Sequence, residues 1–403
     1  MTDPDRDLAN WLPRLLATAR QLLGWPAPRA GDGRLELRDR KLLGRAIERL
    51  SLGLTRDRGL VGQRYLDNPE MLAGYLLFYW PISYGQVRRL LGELPRKPGT
   101  ALDLGSGPGA ASFALLDAGA TRVLAADRSG PALGLAAKLA QLSMTSGKAL
   151  NTQRWQPETP LPSGKFSVIV AQHLLNELWR GDEALERRAA LCRDLLGRLE
   201  SHGTLLLIEP ALRDTSRELL QLRDVLVGEG IAVRAPCLYR GACQALDRPS
   251  DWCHAERDWT PPPMVLELAQ AAGLRKERLK MSYLMLAPPG ELWAEPPPGR
   301  LFRIVSEPLQ GKGRLRYMAC GPEGRMGLAL QDKHVTDANR HFEALERGEV
   351  IRIEGAEAKG DGLGLGATSR VTRLAAPGES VPDSGEDAGA TYGRAPRPPG
   401  WES

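Results

Sequence analysis

Asp103-Leu104-Gly105-Ser106-Gly107-Pro108-Gly109 is the stretch that decides the fold. It follows TALDL, residues 100–104, which reads as a buried strand, and it opens a helix expected over 110–118. Glycines between a strand and a helix let the backbone turn tightly and approach a ligand closely. Working outward, strands are expected at 122–126 (RVLAA), 151–155, 166–171 (FSVIVA) and 203–208 (GTLLLI), with helices at 130–143 and 183–200. This βαβ rhythm implies a parallel sheet covered by helices on both faces, a Rossmann-like α/β fold.

The same stretch points to a cofactor. Asp127, at the end of the second strand, can accept both hydroxyls of a ribose. Those parts also suit NAD. Two details favour S-adenosylmethionine: the acid Asp103 precedes the first glycine, and the loop lacks the GxGxxG spacing that sets a pyrophosphate on a helix. A carboxylate near the loop can orient the amino group of the methionine tail. Asp103, Gly105, Gly107, Gly109 and Asp127 are therefore the candidate cofactor residues. The fourth strand runs into Gln172-His173-Leu174-Leu175-Asn176-Glu177. Such a strand end faces the substrate, so His173, Asn176 and Glu177 are candidate catalytic groups. The alternative is local capping and packing. No Asn-Pro-Pro-Tyr or Asp-Pro-Pro-Tyr signature for adenine-N6 chemistry occurs. Glu209-Pro210 either lines the pocket or ends the fifth strand.

Residues 1–96 read as helical, with apolar stripes through Leu12, Leu15 and Leu16 and through Leu42, Leu43, Ile47 and Leu50. An aromatic cluster, Tyr75, Phe78, Tyr79, Trp80 and Tyr84, follows, with Pro81 expected as a break or kink. Residues 97–290 form the expected α/β domain, with a further helix at 213–228, a Cys-bearing insert at 235–260 and a strand pair over 276–287. Residues 291–300 read as a linker. Short β runs over 301–375, the last of them SRVTRL at 369–374, are separated by Gly-rich turns such as 362–366 and suggest a small β-barrel-like domain. The Pro-, Gly- and Ser-rich tail, 376–403, is expected to be disordered.

The chain has 403 residues and a net charge of +5. That excess suits a nucleic-acid partner better than an acidic-surface role. No stretch reaches the roughly 18 apolar residues of a membrane helix. The N-terminal residues MTDPDRDLANWL resemble neither a secretory nor a transit signal, so the cytoplasm is the expected compartment. Oligomeric state is not legible.

Three of the five cysteines, Cys237, Cys243 and Cys253, fall in one short segment, and Cys320 lies in the next domain. Four thiolates suit an iron–sulfur cluster or zinc, and the spacing alone leaves the metal open. Pro236-Cys237 follows the fifth strand and an extra helix, which argues against the nucleophile of RNA cytosine-C5 methyltransferases. Cys192 sits on the apolar stripe of a helix and is expected in the core.

The chain resembles the methyltransferase-like assembly factors of the mitochondrial small ribosomal subunit and their bacterial relatives. The resemblance rests on Tyr75-Leu76-Leu77-Phe78-Tyr79-Trp80-Pro81, DLGSGPGA at 103–110, QHLLNEL at 172–178, the cysteine stretch 235–254 and CGPEG at 320–324. It spans about 70 to 375. It implies a Rossmann-like class I methyltransferase domain between an N-terminal helical region and a small β domain. It also implies a [4Fe–4S] cluster on Cys237, Cys243, Cys253 and Cys320, cofactor contacts from Gly105, Gly107 and Asp127, and a role on small-subunit ribosomal RNA or its assembly. Such a cluster would clamp the β domain to the core. Leu238-Tyr239-Arg240 departs from the Pro-His pair expected of relatives. The expected activity is S-adenosylmethionine-dependent rRNA methyl transfer; the alternative is a non-catalytic factor that binds cofactor and RNA. Lys312, Arg314, Arg316, Arg325, Lys333, Arg340 and Arg347 are candidate phosphate contacts.

Overall fold

The computed structural model describes residues 3–26, 35–143 and 147–381. The N-terminal region is helical, as expected. Helix α1 (Pro4–Leu22) starts at Asp3, whose carboxylate accepts the Asp5 N–H, and α2 is Leu37–Ser51. Asn68 caps α3 (Pro69–Gly74), which runs through a π turn at Tyr75–Tyr79 into α4 (Trp80–Leu90). The chain does not break at Pro81: the helical run continues from Pro69 to Leu90. In the π turn the Trp80 N–H reaches back five residues to the Tyr75 oxygen. That register shift lets a proline that cannot donate enter the first turn of α4.

The central sheet holds β1 (Thr100–Leu104), β2 (Arg122–Asp127), β3 (Ala149–Arg154), β4 (Phe166–Gln172), β5 (Leu199–Pro210), β6 (Val233–Ala235), β7 (Ala255–Arg257) and β8 (Leu279–Leu286). The path β3-β2-β1-β4-β5 is parallel. Strand β8 then lies antiparallel between β5 and β6, and β7 also pairs with it. Helices α5 (Ala110–Asp117), α6 (Gly130–Ser143), α7 (Ala184–Leu196), α8 (Arg213–Gly228) and α9 (Pro263–Ala271) connect these strands. This is the Rossmann-like parallel sheet read from the loop outward. The strand pair expected at 276–287 is instead one strand, β8. Its hydrogen-bonding edges are taken by β5 on one side and by the short β6 and β7 on the other. Strand β7 thus falls within the expected Cys-bearing insert, 235–260, and β6 ends at that insert's first residue.

One apolar cluster joins α1 to the sheet. Trp11, Trp80 and Phe113 pack together, and the Trp11 N–H and the Tyr84 hydroxyl both donate to Asp117, at 2.8 and 2.7 Å. Cys192 is fully buried in the cluster on the opposite sheet face, as expected. Among the described residues no helix is long and apolar enough to cross a membrane.

The second sheet comprises β9 (Arg300–Ile304), β10 (Leu309–Gly311), β11 (Arg314–Gly321), β12 (Gly324–Gln331), β13 (Val350–Lys359) and β14 (Gly362–Ala375). Its order is β10-β11-β12-β14-β13-β9, and β9 pairs again with β11. The glycine-rich stretch 362–366, expected as a turn before a strand at 369–374, belongs to β14. Alternate residues Leu363 and Leu365 face the interior, which is the strand periodicity. Of the tail expected to be disordered, residues 376–381 are ordered: the Ala376 N–H bonds Glu379, and Gly378 lies against the Arg89 backbone. Residues 382–403 lie outside the described residues.

Candidate functional site

The parallel order reverses between β1 and β4, and crevices of α/β sheets form at the carboxyl ends of strands at such points. There the structure has a cavity of about 700 Å³. Gly105, Gly107, Asp127, His173, Asn176 and Glu177 all line it, with Tyr65 and Tyr75 from the N-terminal region. Two expected cofactor residues stand behind this wall. Gly109 is the N-cap of α5, and a Cβ there would come 3.2 Å from Phe113 and Ala136. Asp103 is 1% exposed and accepts a 2.6 Å bond from the Ser112 hydroxyl.

The loop conformation explains its glycines. Gly105, Gly107 and Gly109 have φ of 75°, 51° and 84°, a left-handed run that other residues adopt only under strain. The turn aims the Gly107 N–H at Asp127, 2.8 Å away. The other Asp127 oxygen accepts the Ser129 N–H, also at 2.8 Å. Each carboxylate oxygen can accept two bonds, so Asp127 is oriented by the backbone and retains acceptor capacity for a ligand's hydroxyls. Burial raises its pKa. Burial likewise pushes Asp103 up to about 7, although the Ser112 bond opposes the shift. The Asp103 Oδ1 atom is buried with no hydrogen-bond partner.

The 172–178 stretch forms the opposite wall. His173 takes a left-handed φ of 56°, and its N–H bonds the Ile208 carbonyl at 2.7 Å. Burial and then Lys276 lower its pKa to about 4, so the ring is neutral at pH 7. Its Nε2 meets Gln86 Oε1 at 3.2 Å, and its Nδ1 is buried with no partner. Glu177 accepts the Tyr65 hydroxyl at 3.0 Å and stands 3.8 Å from Arg128, with its pKa pushed up to about 7 by burial. Asn176 is engaged on its far side, where its carbonyl accepts Arg58 at 2.7 Å. Glu209, open in the sequence reading, is 2% exposed, and its carboxylate accepts the Leu175 N–H at 3.0 Å. It supports this wall from behind; Pro210 lines the cavity.

Several cavity residues were not legible as such. Gln86 on α4 accepts from Gln172 and donates to the Lys280 carbonyl. Arg128 ties the cavity edge to the Gly62 and Gln63 carbonyls. The aromatic stretch 75–81 carried part of the family resemblance, but nothing in it marked Tyr75 or Tyr79 as cavity residues.

A second cavity, of about 80 Å³, lies where the second sheet meets the central one. Cys237, Cys243, Cys253 and Cys320 all line it, so the four expected thiols share one site. All four are free, and burial raises the pKa of each, Cys253 to about 11 and Cys243 to about 12. Arg223, Arg303, Arg325 and Arg347 line the same space. The Nε atoms of Arg223, Arg303 and Arg325 are buried without partners. Among the described residues no group of three or more His, Cys, Asp or Glu side chains is arranged to hold a metal ion.

Beside this cavity is a buried ionic network that the sequence did not announce. Glu93 accepts Arg257 at 2.6 Å, the Tyr283 hydroxyl at 2.8 Å and Arg303 at 3.3 Å. One carboxylate from the N-terminal region thus joins β7 and β8 of the central sheet to β9 of the second.

No curated protein matches the chain. Among solved structures it is similar to the N-methyltransferase NodS from Bradyrhizobium japonicum WM9 in complex with S-adenosyl-L-homocysteine. That likeness is 14% identical, covers 61% of this chain and 98% of that one, and has a TM-score of 0.35. It is also similar to a SAM-dependent methyltransferase from Leishmania major (15% identity, 62% and 87% covered, TM-score 0.37). A third is the ribosomal protein L11 methylase from Lactobacillus delbrueckii subsp. bulgaricus (16% identity, 52% and 77% covered, TM-score 0.31). The family model described as mitochondrial small ribosomal subunit Rsm22 matches residues 69–353, which takes in the glycine loop, the 172–178 wall and all four clustered cysteines. The chain belongs to the Rsm22 family of the mitochondrial small ribosomal subunit.

Proposed function

We propose that this chain binds S-adenosylmethionine in the glycine-loop cavity and acts, as a methyltransferase-like factor, on small-subunit ribosomal RNA or its assembly. The observation that carries the reading is the left-handed glycine loop with its amide fixed on Asp127, opening on a cavity of about 700 Å³. That volume lies in the usual range of small-molecule sites. The residues fit the cofactor. Asp127 lines the cavity and has acceptor positions for ribose hydroxyls, while Asp103, behind the wall, ties β1 to α5 through Ser112. When bound, the cofactor supplies a methyl group on a sulfonium, open to in-line displacement by a nucleophilic acceptor. The protein's own contribution is to orient the acceptor and exclude water. Neutral His173 presents its free Nδ1, and Glu177, with a pKa of about 7, takes up the proton the acceptor loses.

A second reading is a factor that binds cofactor and RNA without turnover. It is favoured by the engagement of Asn176 with Arg58 and of Glu177 with Tyr65, bonds that hold the wall in place. Transfer of labelled methyl from S-adenosylmethionine to immature small subunits separates the two. Label above that of a Gly107→Asp control supports the enzyme; cofactor binding without label supports the second reading; absence of cofactor binding overturns both.

We also propose a [4Fe–4S] cluster on Cys237, Cys243, Cys253 and Cys320. Its support is that four partly buried thiols, three from the 235–260 insert and one from β11, line one space, and buried Arg223 and Arg303 beside them offset the negative charge that four thiolates bring. A zinc ion, the alternative, needs all four sulfurs about 2.3 Å from one point. A cluster spreads its ligands over separate irons. Iron, sulfide and zinc analysis of protein purified without oxygen decides: about four irons and four sulfides per chain support the cluster; one zinc or no metal overturns it. The proposed compartment stays the cytoplasm and the proposed partner the small ribosomal subunit.

A further inference from the structure

We infer that the strand ring of residues 300–375 is an oligonucleotide-binding barrel, and that single-stranded RNA lies across the outer face of β11, β12 and β14. The pairing pattern comes first. Setting aside the short β10, which sits in the β9–β11 connection, β9 pairs β11, β11 pairs β12, β12 runs parallel to β14, β14 pairs β13, and β13 returns to β9. Numbered one to five, that is 1-2-3-5-4-1 with a single parallel pair between the third and fifth strands. It is the connectivity of a five-stranded Greek-key barrel of the OB type, whose second and third strands and flanking loops take oligonucleotides.

The face fits that ligand. Arg314 and Arg316 are exposed on the outer side of β11, and across the register they meet Gln331 and Ala329 of β12. Ala329 in turn neighbours Gly364 of β14. A Cβ on Gly366 would meet nothing within 4 Å, and one on Gly364 only the Lys359 side chain, at 3.2 Å. Glycine inside a strand weakens it and often marks close approach of a ligand. Here no internal packing asks for either glycine. Lys359 crosses this glycine floor from one side, while Lys312, Arg314 and Arg316 rise on the other. Among the described residues none of these four cations takes part in an ion pair. Glu357, opposite Gly364, bounds the strip on the β13 side, so a phosphate path follows β11.

Three other candidate phosphate contacts of this domain are held by acidic partners. Arg325 pairs with Asp251 at 2.9 Å, Arg340 with Asp337 at 2.7 Å, and Arg347 with Glu307 at 3.4 Å. The face carries no aromatic ring, so bases would rest on guanidinium planes and bare backbone, a mode open to single strands.

The inference rests on the proposed function only for the RNA being ribosomal. The test is fluorescence anisotropy of the full chain with a labelled RNA of about 12 nucleotides, single-stranded and as a duplex, across a salt titration. The single strand binds tighter than the duplex. Arg314→Ala with Arg316→Ala weakens it at least about 10-fold and lowers the log–log salt slope by about 1.4, roughly 0.7 for each phosphate left without its arginine. The Lys pair, R314K with R316K, restores most of the slope. Removing the same charge from α7, with R187A and R193A, changes affinity less than about twofold. Equal loss in both double variants, no loss in the Ala pair at an unchanged urea midpoint, or preference for the duplex would overturn the barrel site. Absence of S-adenosylmethionine binding in the wild type would instead sink the proposed function and leave this one standing.

Discussion

The two cavities are built in opposite ways. The glycine-loop cavity is made chiefly by backbone: left-handed turns, an amide on Asp127 and strand ends that the parallel order brings together. It is roomy and mixed in polarity. The cysteine cavity is made by side chains from distant parts of the chain, and it is small, with five arginines in its lining. A backbone-built site is written in a few contiguous residues. A junction site depends on the docking of two sheets: its cysteines were legible through their clustering and the family resemblance, its arginines were not.

That contrast decides what was legible. Residues 103–109 gave the fold because glycine spacing between a strand and a helix has one dominant structural use. The strands β1, β2, β4 and β5 followed because fully buried parallel strands read as continuous apolar runs. By contrast, β8 read as two strands, since an apolar run does not say how many partners will edge it. The 362–366 stretch read as a turn because glycine frequency hid the alternation of Leu363 and Leu365. Glu93 carried no signal at all. An acid after a helix is ordinary until the arginines of β7 and β9 arrive beside it.

The largest expected effect tests the junction. Glu93→Ala leaves Arg257 and Arg303 buried without a counter-charge and should cost about 3–5 kcal/mol. The urea midpoint and limited proteolysis at the 291–299 segment report it. A cost below about 1 kcal/mol would mean that the network is no stronger than a surface pair, and the cysteines alone would hold the sheets together.

The next test belongs to the backbone-built site. Gly107→Asp forces a side chain into a left-handed φ and sets a second carboxylate near Asp127. Cofactor affinity should fall about 100-fold, or about 2.8 kcal/mol. Isothermal titration reads it; an unchanged affinity would move the cofactor elsewhere.

Cys320→Ser sharpens the comparison from the other side. Iron content should drop while cofactor affinity stays within about twofold. The urea midpoint should move less than for Glu93→Ala, because the ionic network remains. A larger shift than that of Glu93→Ala would give the cysteine site the main clamping role.

The smallest effect is the pH dependence of Asp103. Its pKa is about 7 in the fold against an ordinary value of 3.8, raised by burial. Between those values the folded state holds a proton that the unfolded chain has released. The folded state therefore loses stability as pH rises from about 4 to about 7, and the loss levels off above. Asn at this position cannot ionise and can still accept the Ser112 bond. Relative to wild type, Asp103→Asn should therefore gain on the order of 1 kcal/mol at pH 8 and little at pH 4, read from urea midpoints at both values. Cofactor affinity should stay within about twofold, because Asp103 stands behind the cavity wall. A variant that lost affinity about 10-fold while gaining stability would show instead that the Asp103 carboxylate reaches the ligand and is more than a buried structural acid of the sheet.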